Sequence, residues 1–411
     1  MPTPPLEAPA QKTCPFCPLL CEDIVLTASL EAPNTTCPRL AQSLAAFNID
    51  DEGTKPQING KSTDLPTALS EASRILEQSR RPLFAGMATD ITGARALYEL
   101  AAHTGAILDH MHGDALAAST LALQDRGAFF TTLSEIRSRA DLIVIIACEP
   151  SRRYPRFYER VLNLRHNTDI VFVGCNPDPA ASAHAKAILQ DADTFDILAL
   201  WSALTERRNA HTPTAQALQT LHERIQTAHY TAFIYEPATL PAPHAALAIE
   251  AINRIVKTIN RTARAGALAL TGDDGALSVN QAVTWLSGFP LRTRIAYGLP
   301  LDHDPHRYRT EDLLRRKETD ALLWISSFGP EPLPPSLTDD VPAIVLGHPG
   351  TTVDARKATT VFIPVATPGI DSNGHLFRVD ASVVVPLAAA RDTALPTVAS
   401  IASELIRARR P

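Results

Sequence analysis

Along this chain, short runs of apolar residues alternate with longer stretches in which apolar side chains recur at helical spacing. The runs read as buried strands over residues 82–86, 106–109, 142–148, 169–175, 231–235, 267–270, 321–326, 343–346 and 360–363. Residues 142–148 are the clearest of them: Leu-Ile-Val-Ile-Ile-Ala-Cys holds no polar side chain. A helix opens at Asp64, an N-cap ahead of Leu65-Pro66, with Ala68, Leu69, Ala72, Ile75 and Leu76 on one face. Further helices are expected over 93–104, 133–139, 194–203, 214–228, 246–262 and around 280–287, and a turn at His112-Gly113-Asp114. Strand and helix in alternation predict an α/β protein of open, mostly parallel sheets, with ligand sites in the loops after strand C-termini. No internal repeat of solenoid period is present.

Composition narrows the function classes. With 411 residues and 45% hydrophobic content, the chain can bury two or three cores. A net charge of -6, with 20% charged residues, supplies no field for a phosphate backbone, so nucleic acid is not an expected partner. The longest apolar run is too short to span a bilayer, and the first ten residues are proline-rich rather than basic and then apolar. A soluble cytoplasmic protein that makes no use of a membrane is expected, with residues 1–12 as a flexible tail.

Chemistry concentrates near the start. Cys14, Cys17 and Cys21 lie in one turn, and Cys37 follows at the head of a helical pattern carrying Leu40, Leu44 and Phe47. Short gaps that form a turn and a long gap that closes it bring four thiolates to one centre, which points to a metal site. Disulfides are disfavoured by the cytosolic reading. Either Zn2+ or a [4Fe-4S] cluster satisfies four thiolates, and the surrounding irregular cap would gain much of its stability from the metal.

Five segments occur in a recognisable order. They are the Cys14-x2-Cys17-x3-Cys21 turn with Cys37, the His112-Gly113 turn, the strand ending Cys148-Glu149-Pro150, the stretch from Val279-Asn280-Gln281 to Gly288-Phe289-Pro290, and Val361-Phe362-Ile363-Pro364. This set resembles the B subunit of formylmethanofuran dehydrogenase, a compact relative of the molybdopterin oxidoreductases, over essentially the whole chain. The resemblance implies a small four-cysteine metal-binding cap (1–55), then two Rossmann-like α/β domains (56–115 with 276–411, and 116–275), without the C-terminal barrel of the larger oxidoreductases. It also implies a [4Fe-4S] cluster on the four cysteines, and a molybdenum or tungsten held between the domains by two pterin dithiolenes.

Three positions depart from that pattern. Where the family has a cysteine or selenocysteine ligand before the His-Gly turn, this chain has Met111, although His112 is kept. Thr271 stands where the family has an arginine, followed by Asp273 and Asp274. The loop that commonly reads Asp-Pro-Arg-Lys here reads Cys175-Asn176-Pro177-Asp178. A thioether in place of a thiolate, a lost cation with two added carboxylates, and a missing Arg/Lys pair all act against an anionic metal-pterin. The expected outcome is a retained fold with a vestigial site at Met111, His112 and Thr271, and no molybdopterin or tungstopterin. That combination resembles the B subunits of formyltransferase/hydrolase complexes in methylotrophic bacteria. It implies a non-catalytic scaffold in tetrahydromethanopterin-linked one-carbon metabolism, with A, C and D subunits and a furan-type carrier as partners.

Other candidates carry plainer expectations. Cys148 and Cys175 end apolar strands and read as inert thiols. Asp273 and Asp274 read as a solvated turn. The segment 302–306, Asp-His-Asp-Pro-His, reads as a partner-docking polar loop. Arg152, Arg153 and Arg156 around Tyr154 and Tyr158 read as a solvated helix face or an interface. Trp285 reads as core, and His112 as a satisfied interior residue.

Overall fold

The computed structural model describes residues 11–408 apart from 28, 49–50, 164–167, 183 and 207. The first ten residues of the expected tail lie outside that set. The chain forms two compact units: Met1–Gly113, Gly272–Arg378 and Val384–Pro411 make the first, and Asp114–Thr271 with Val379–Val383 the second. The cysteine segment clusters with the first unit.

The first unit is built on a nine-stranded sheet. Its parallel centre runs Ile107–Leu108, Pro82–Ala88, Ala321–Ser326, Ala343–Gly347 and Thr360–Pro364 in spatial order. Antiparallel strands finish both edges: Thr293–Ala296 and Leu299–His303 on one side, Gln57–Ile58 and Lys61–Ser62 on the other. Central strands are buried along their whole length, as parallel strands covered on both faces must be. The helices Leu65–Gln78, Ile91–Thr104, Ala276–Ser287 and Val398–Ala408 pack on one another.

Local chemistry sets the helix starts. Asp64 accepts from Thr67 N at 2.7 Å and Asp90 from Gly93 N at 2.8 Å, each satisfying an amide that has no partner inside its helix. Gly105 stops the second of these helices with φ at 74°.

The second unit holds an all-parallel five-stranded sheet in the order Ala265–Ala269, Thr231–Tyr235, Leu142–Ile146, Asp169–Val173, Lys186–Ile188. Trp201, Phe233, Ile252 and Val256 belong to its core, where Thr194–Thr205 and Ala245–Ile259 pack. In both units the chain winds outward in two directions from one strand pair. That switch point falls between Pro82–Ala88 and Ala321–Ser326 in the first unit, and between Leu142–Ile146 and Thr231–Tyr235 in the second. Crevices for ligands form at such places, beyond the strand C-termini.

Two expectations about secondary structure change, and one about burial. Gly113 opens a helix, Gly113–Arg126, where a turn was expected, because Ala and Leu follow closely on the glycine. Residues 302–306 leave an antiparallel edge strand, with Asp304 capping the amides of His306 and Arg307 at 2.9 and 2.8 Å. Trp285 is 69% exposed and meets Phe377 edge-on, so it belongs to the surface and not to the core. No described helix is long and apolar enough to cross a membrane.

Candidate functional site

The cysteine turn is closed by its own backbone: Cys14 N donates to Cys21 O at 2.9 Å, and Leu20 N to Cys17 O at 3.1 Å. Leu20 takes φ of 47° to make this possible. Pro38 then starts the helix Pro38–Ala45 directly after Cys37. Cys14, Cys17 and Cys21 are buried, Cys37 is half-buried, and none of the four is in a disulfide. Burial pushes the Cys14 thiol well up, with the charges of Cys17, Cys21 and Cys37 adding to the rise. Burial likewise pushes Cys17 up to about 12, against the opposing Arg39 guanidinium. Cys14 and the three cysteines within its electrostatic reach form a donor set of the type that suits Zn2+ or iron-sulfur chemistry, since a bound cation offsets the cost of burying thiolates. As placed, the side chains do not close on one point: among the described residues, no three His, Cys, Asp or Glu stand arranged to hold a metal ion.

The first unit's second constellation follows strand Ile107–Leu108. Asp109 is buried and accepts from Arg292 Nε at 3.2 Å, Thr310 N at 2.8 Å and Thr310 Oγ1 at 2.8 Å. A Cβ on Gly113 would stand 2.2 Å from Asp109 Oδ1, so only glycine fits the turn after His112. His110 is buried; its Nδ1 accepts from His112 N at 3.0 Å, and its Nε2 donates to the Asp274 carbonyl at 3.2 Å. Burial, reinforced by the neighbouring His112, lowers the His110 pKa to about 3, so the ring is neutral.

The backbone of Met111 is tied to the sheet, its N donating to Gly86 O at 3.1 Å, and its side chain packs against two apolar clusters. One contains Leu83, Ile107 and Trp324; the other contains Leu20, Ala88, Phe328 and Leu376. His112 Nε2 lies 2.8 Å from Asp274 Oδ2, with the ring one-third exposed. His112 is therefore satisfied as expected, but at a half-buried position.

Loop 272–275 completes the constellation and corrects an expectation. Asp273 and Asp274 are not a solvated turn. Asp273 is 3% exposed and pairs with Arg39 Nη1 at 2.8 Å, while Asp274 holds His112. Burial pushes the Asp274 carboxyl up, yet the His112 hydrogen bond and the charges of His112, Arg39 and His110 bring it below its ordinary range. Three of the loop's four residues have positive φ: Gly272 at 109°, Asp274 at 53° and Gly275 at 74°. For an aspartate such a conformation carries strain of about 1 kcal/mol or more, sustained by fixed partners. A Cβ on Gly275 would fall 2.1 Å from Thr89 O, so the loop lies directly on the switch point. Thr271, the remaining residue of the expected vestigial site, falls in the second unit.

The second unit has its own cavity at its switch point, of about 370 Å³. Cys148, Glu149, Arg152, Cys175, Asn176 and Glu236 are among its lining residues. Cys148 is buried and Cys175 half-buried, and burial raises both thiols, in keeping with inert cysteines. The basic segment beside them is not a solvated face: Arg153 pairs with buried Glu236 at 2.6 Å, and Tyr154 and Tyr158 are buried. Tyr158 OH, Ser151 N and Ser151 Oγ all donate to buried Asp178. Sequence reasoning missed Asp109, His110, Arg39 and Arg292; the histidine's place beside His112 was its only local signal.

No protein-family model matches the chain. It is 28% identical over 351 residues to the B subunit of the formyltransferase/hydrolase complex Fhc of Methylorubrum extorquens, covering 82% of this chain and 91% of that protein. It is 24% identical to the B subunit of the tungsten-containing formylmethanofuran dehydrogenase 2 of Methanocaldococcus jannaschii, over 89% and 90% of the two chains. The fold matches a chain in the crystal structure of the M. extorquens FhcABCD complex with methylofuran, with a TM-score of 0.73, 24% identity, and coverage of 86% of this chain and 98% of that one. In sequence the chain is similar to the B subunits of both complexes, and its fold is that of the FhcABCD chain it matches. It matches the Fhc B subunit at higher identity than the tungsten enzyme quoted beside it.

Proposed function

We propose that this chain is a non-catalytic structural subunit of a cytoplasmic formyltransferase/hydrolase complex in tetrahydromethanopterin-linked one-carbon metabolism. It assembles with A, C and D subunits around a furan-type carrier. The observation that carries the reading is Met111: at the position where the family places its thiolate ligand, the thioether is packed between two apolar clusters. A side chain that fills a seam between cores is spent on packing, and a thioether lacks the anionic charge that a high-valent metal demands. Beside it His112 pairs with Asp274 and Arg39 with Asp273.

In the cap, Cys14, Cys17, Cys21 and Cys37 would hold Zn2+ or a [4Fe-4S] cluster. When bound, that group supplies folding energy to a segment with little regular structure. No molybdopterin or tungstopterin is needed. A viologen-linked assay of formyl-carrier oxidation on the purified complex tests the proposal: no activity above background is expected. Activity that is lost on Met111→Ala replaces it with an active dehydrogenase using unusual ligation.

A further inference from the structure

The free edge of the first unit's sheet is the strand Leu299–His303, joined to Thr293–Ala296 by Tyr297 and Gly298. Both connecting residues have positive φ, 52° and 77°, as a two-residue hairpin turn requires. Asparagine, aspartate and glycine suit such a turn, whereas a tyrosine held there is strained. Tyr297 is nevertheless 93% exposed, and its N donates to Ala102 O at 2.8 Å, which pins the tip to the helix Ile91–Thr104. A hairpin that only had to close would not place a bare aromatic ring at its tip. From there exposed apolar side chains continue along the edge: Leu299 and Leu301, then Phe289, whose ring lies 5.7 Å from that of His303. The Ser287 hydroxyl accepts from Phe289 N at 3.0 Å and ties it to the last turn of the helix Ala276–Ser287, where Leu286 and Trp285 are exposed as well. Phe377, edge-on at 5.4 Å, braces the Trp285 indole.

At their observed exposures these six side chains present roughly 750 Å² of surface. The largest apolar patch of a monomer is about 300–600 Å², and one side of a standard protein interface is about 800 Å². We propose that this strip is the face on which an unlike subunit of the complex docks, with Tyr297 and Trp285 as its anchors. The inference rests on the subunit role of the proposed function. Strand addition is not the mode of contact. Pro300 brings no N–H, Leu301 has no partner across the hairpin because the register shifts beside it, and Asp302 accepts from the Tyr308 hydroxyl at 2.7 Å. Such devices blunt a sheet edge against another strand, so the contact is made through side chains. Tyr297 and Trp285 both project, so the strip supplies knobs and calls for holes. A second copy brings the same knobs, whereas an unlike chain with an apolar face and a pocket deep enough for a phenol ring is complementary.

The test uses the full-length chain co-expressed with the other subunits of its complex. Subunit composition is read by native mass spectrometry over a dilution series, and the measure is the concentration at which half of the complex has lost a subunit. Trp285→Ala and Tyr297→Asn should each raise that concentration at least about 30-fold, the size of a hot-spot loss. Tyr297→Asn is the sharper of the two: asparagine suits the left-handed turn, so the hairpin is kept while the anchor is removed. Leu247→Ser, at an exposed apolar position of the second unit away from the strip in sequence, should leave the concentration unchanged.

Wild-type dissociation from Tyr297→Asn, or an equal shift in Leu247→Ser, would overturn the inference and leave the subunit role intact. Loss of a second copy of this chain, with every unlike subunit retained, would overturn it as well, by making the strip a contact between copies. If Trp285→Ala does not fold, Tyr297→Asn still decides. A wild-type chain that co-purifies with no other subunit overturns the proposed function together with this inference.

Discussion

The two units share an architecture and differ at the place where such architectures bind ligands. In the first unit the switch point is packed: Leu20 from the cysteine turn, Phe328, Leu376 and Met111 surround Ala88, and loop 272–275 lies on Thr89. In the second unit the equivalent place is a cavity of about 370 Å³, lined by buried Cys148, half-buried Cys175 and exposed Glu149, Arg152 and Asn176. A sheet needs its strand ends satisfied whether or not a ligand is used. The first unit does this with apolar side chains and paired charges, and the second with the Arg153–Glu236 and Asp178 networks around an open space. Apolar side chains at the first switch point are therefore parts of a core, while Glu149, Arg152 and Asn176 at the second are exposed.

This contrast is exposed to direct tests. The largest effect belongs to Asp109→Ala, which strips the buried Arg292 of its carboxylate partner and should destabilise the first unit by about 3–5 kcal/mol. Because the two units need not unfold together, hydrogen exchange resolved by segment is the suitable measurement. Met111→Ala opens a void between two clusters. A loss of about 2 kcal/mol in the same unit is expected, and a neutral result would contradict the packing role.

Acid gives the next effect. His110 and His348, both in the first unit, are buried and neutral, with pKa values lowered from 6.5 to about 3 and about 4; burial is the main cause in each. Between those values and 6.5 the unfolded chain binds more protons, so stability falls as pH drops from 6.5 toward 4. Each histidine contributes a slope of up to about 1.4 kcal/mol per pH unit, and His110→Asn should flatten the profile. Asp274 acts lower: its folded pKa is depressed, so its contribution is present above its ordinary carboxyl pKa and is lost as pH falls further. The smallest effect is Asn176→Ala, at an exposed position on the second unit's cavity, where a change within about 0.5 kcal/mol is expected by thermal unfolding.

Much of the architecture was legible because both sheets announce themselves locally. Leu142–Ile146 and Ala321–Ser326 are buried at every position and almost wholly apolar, and Asp64 caps a helix through a residue three places away. The edge hairpin Thr293–His303 was not, since Pro300, Gly298 and the charged residues around it break any apolar pattern. Trp285 was misread because helical spacing assigns a face without saying whether anything covers it. The site was half legible: cysteine spacing and the Met111-His112-Gly113 turn are local signals. Asp109 and Arg292, 183 residues apart, and Arg39 with Asp273 are pairings that only the fold makes. For the same reason Asp273 and Asp274 read as a solvated turn, their partners being invisible from within the loop.

The central claim is that the first unit's switch point has become a packed structural element and serves no metal-pterin. Elemental analysis of the purified native complex for tungsten, molybdenum, iron and zinc addresses it most directly. The account predicts neither tungsten nor molybdenum, with zinc or iron at the stoichiometry of the four-cysteine cap. One atom of tungsten or molybdenum per chain would contradict it.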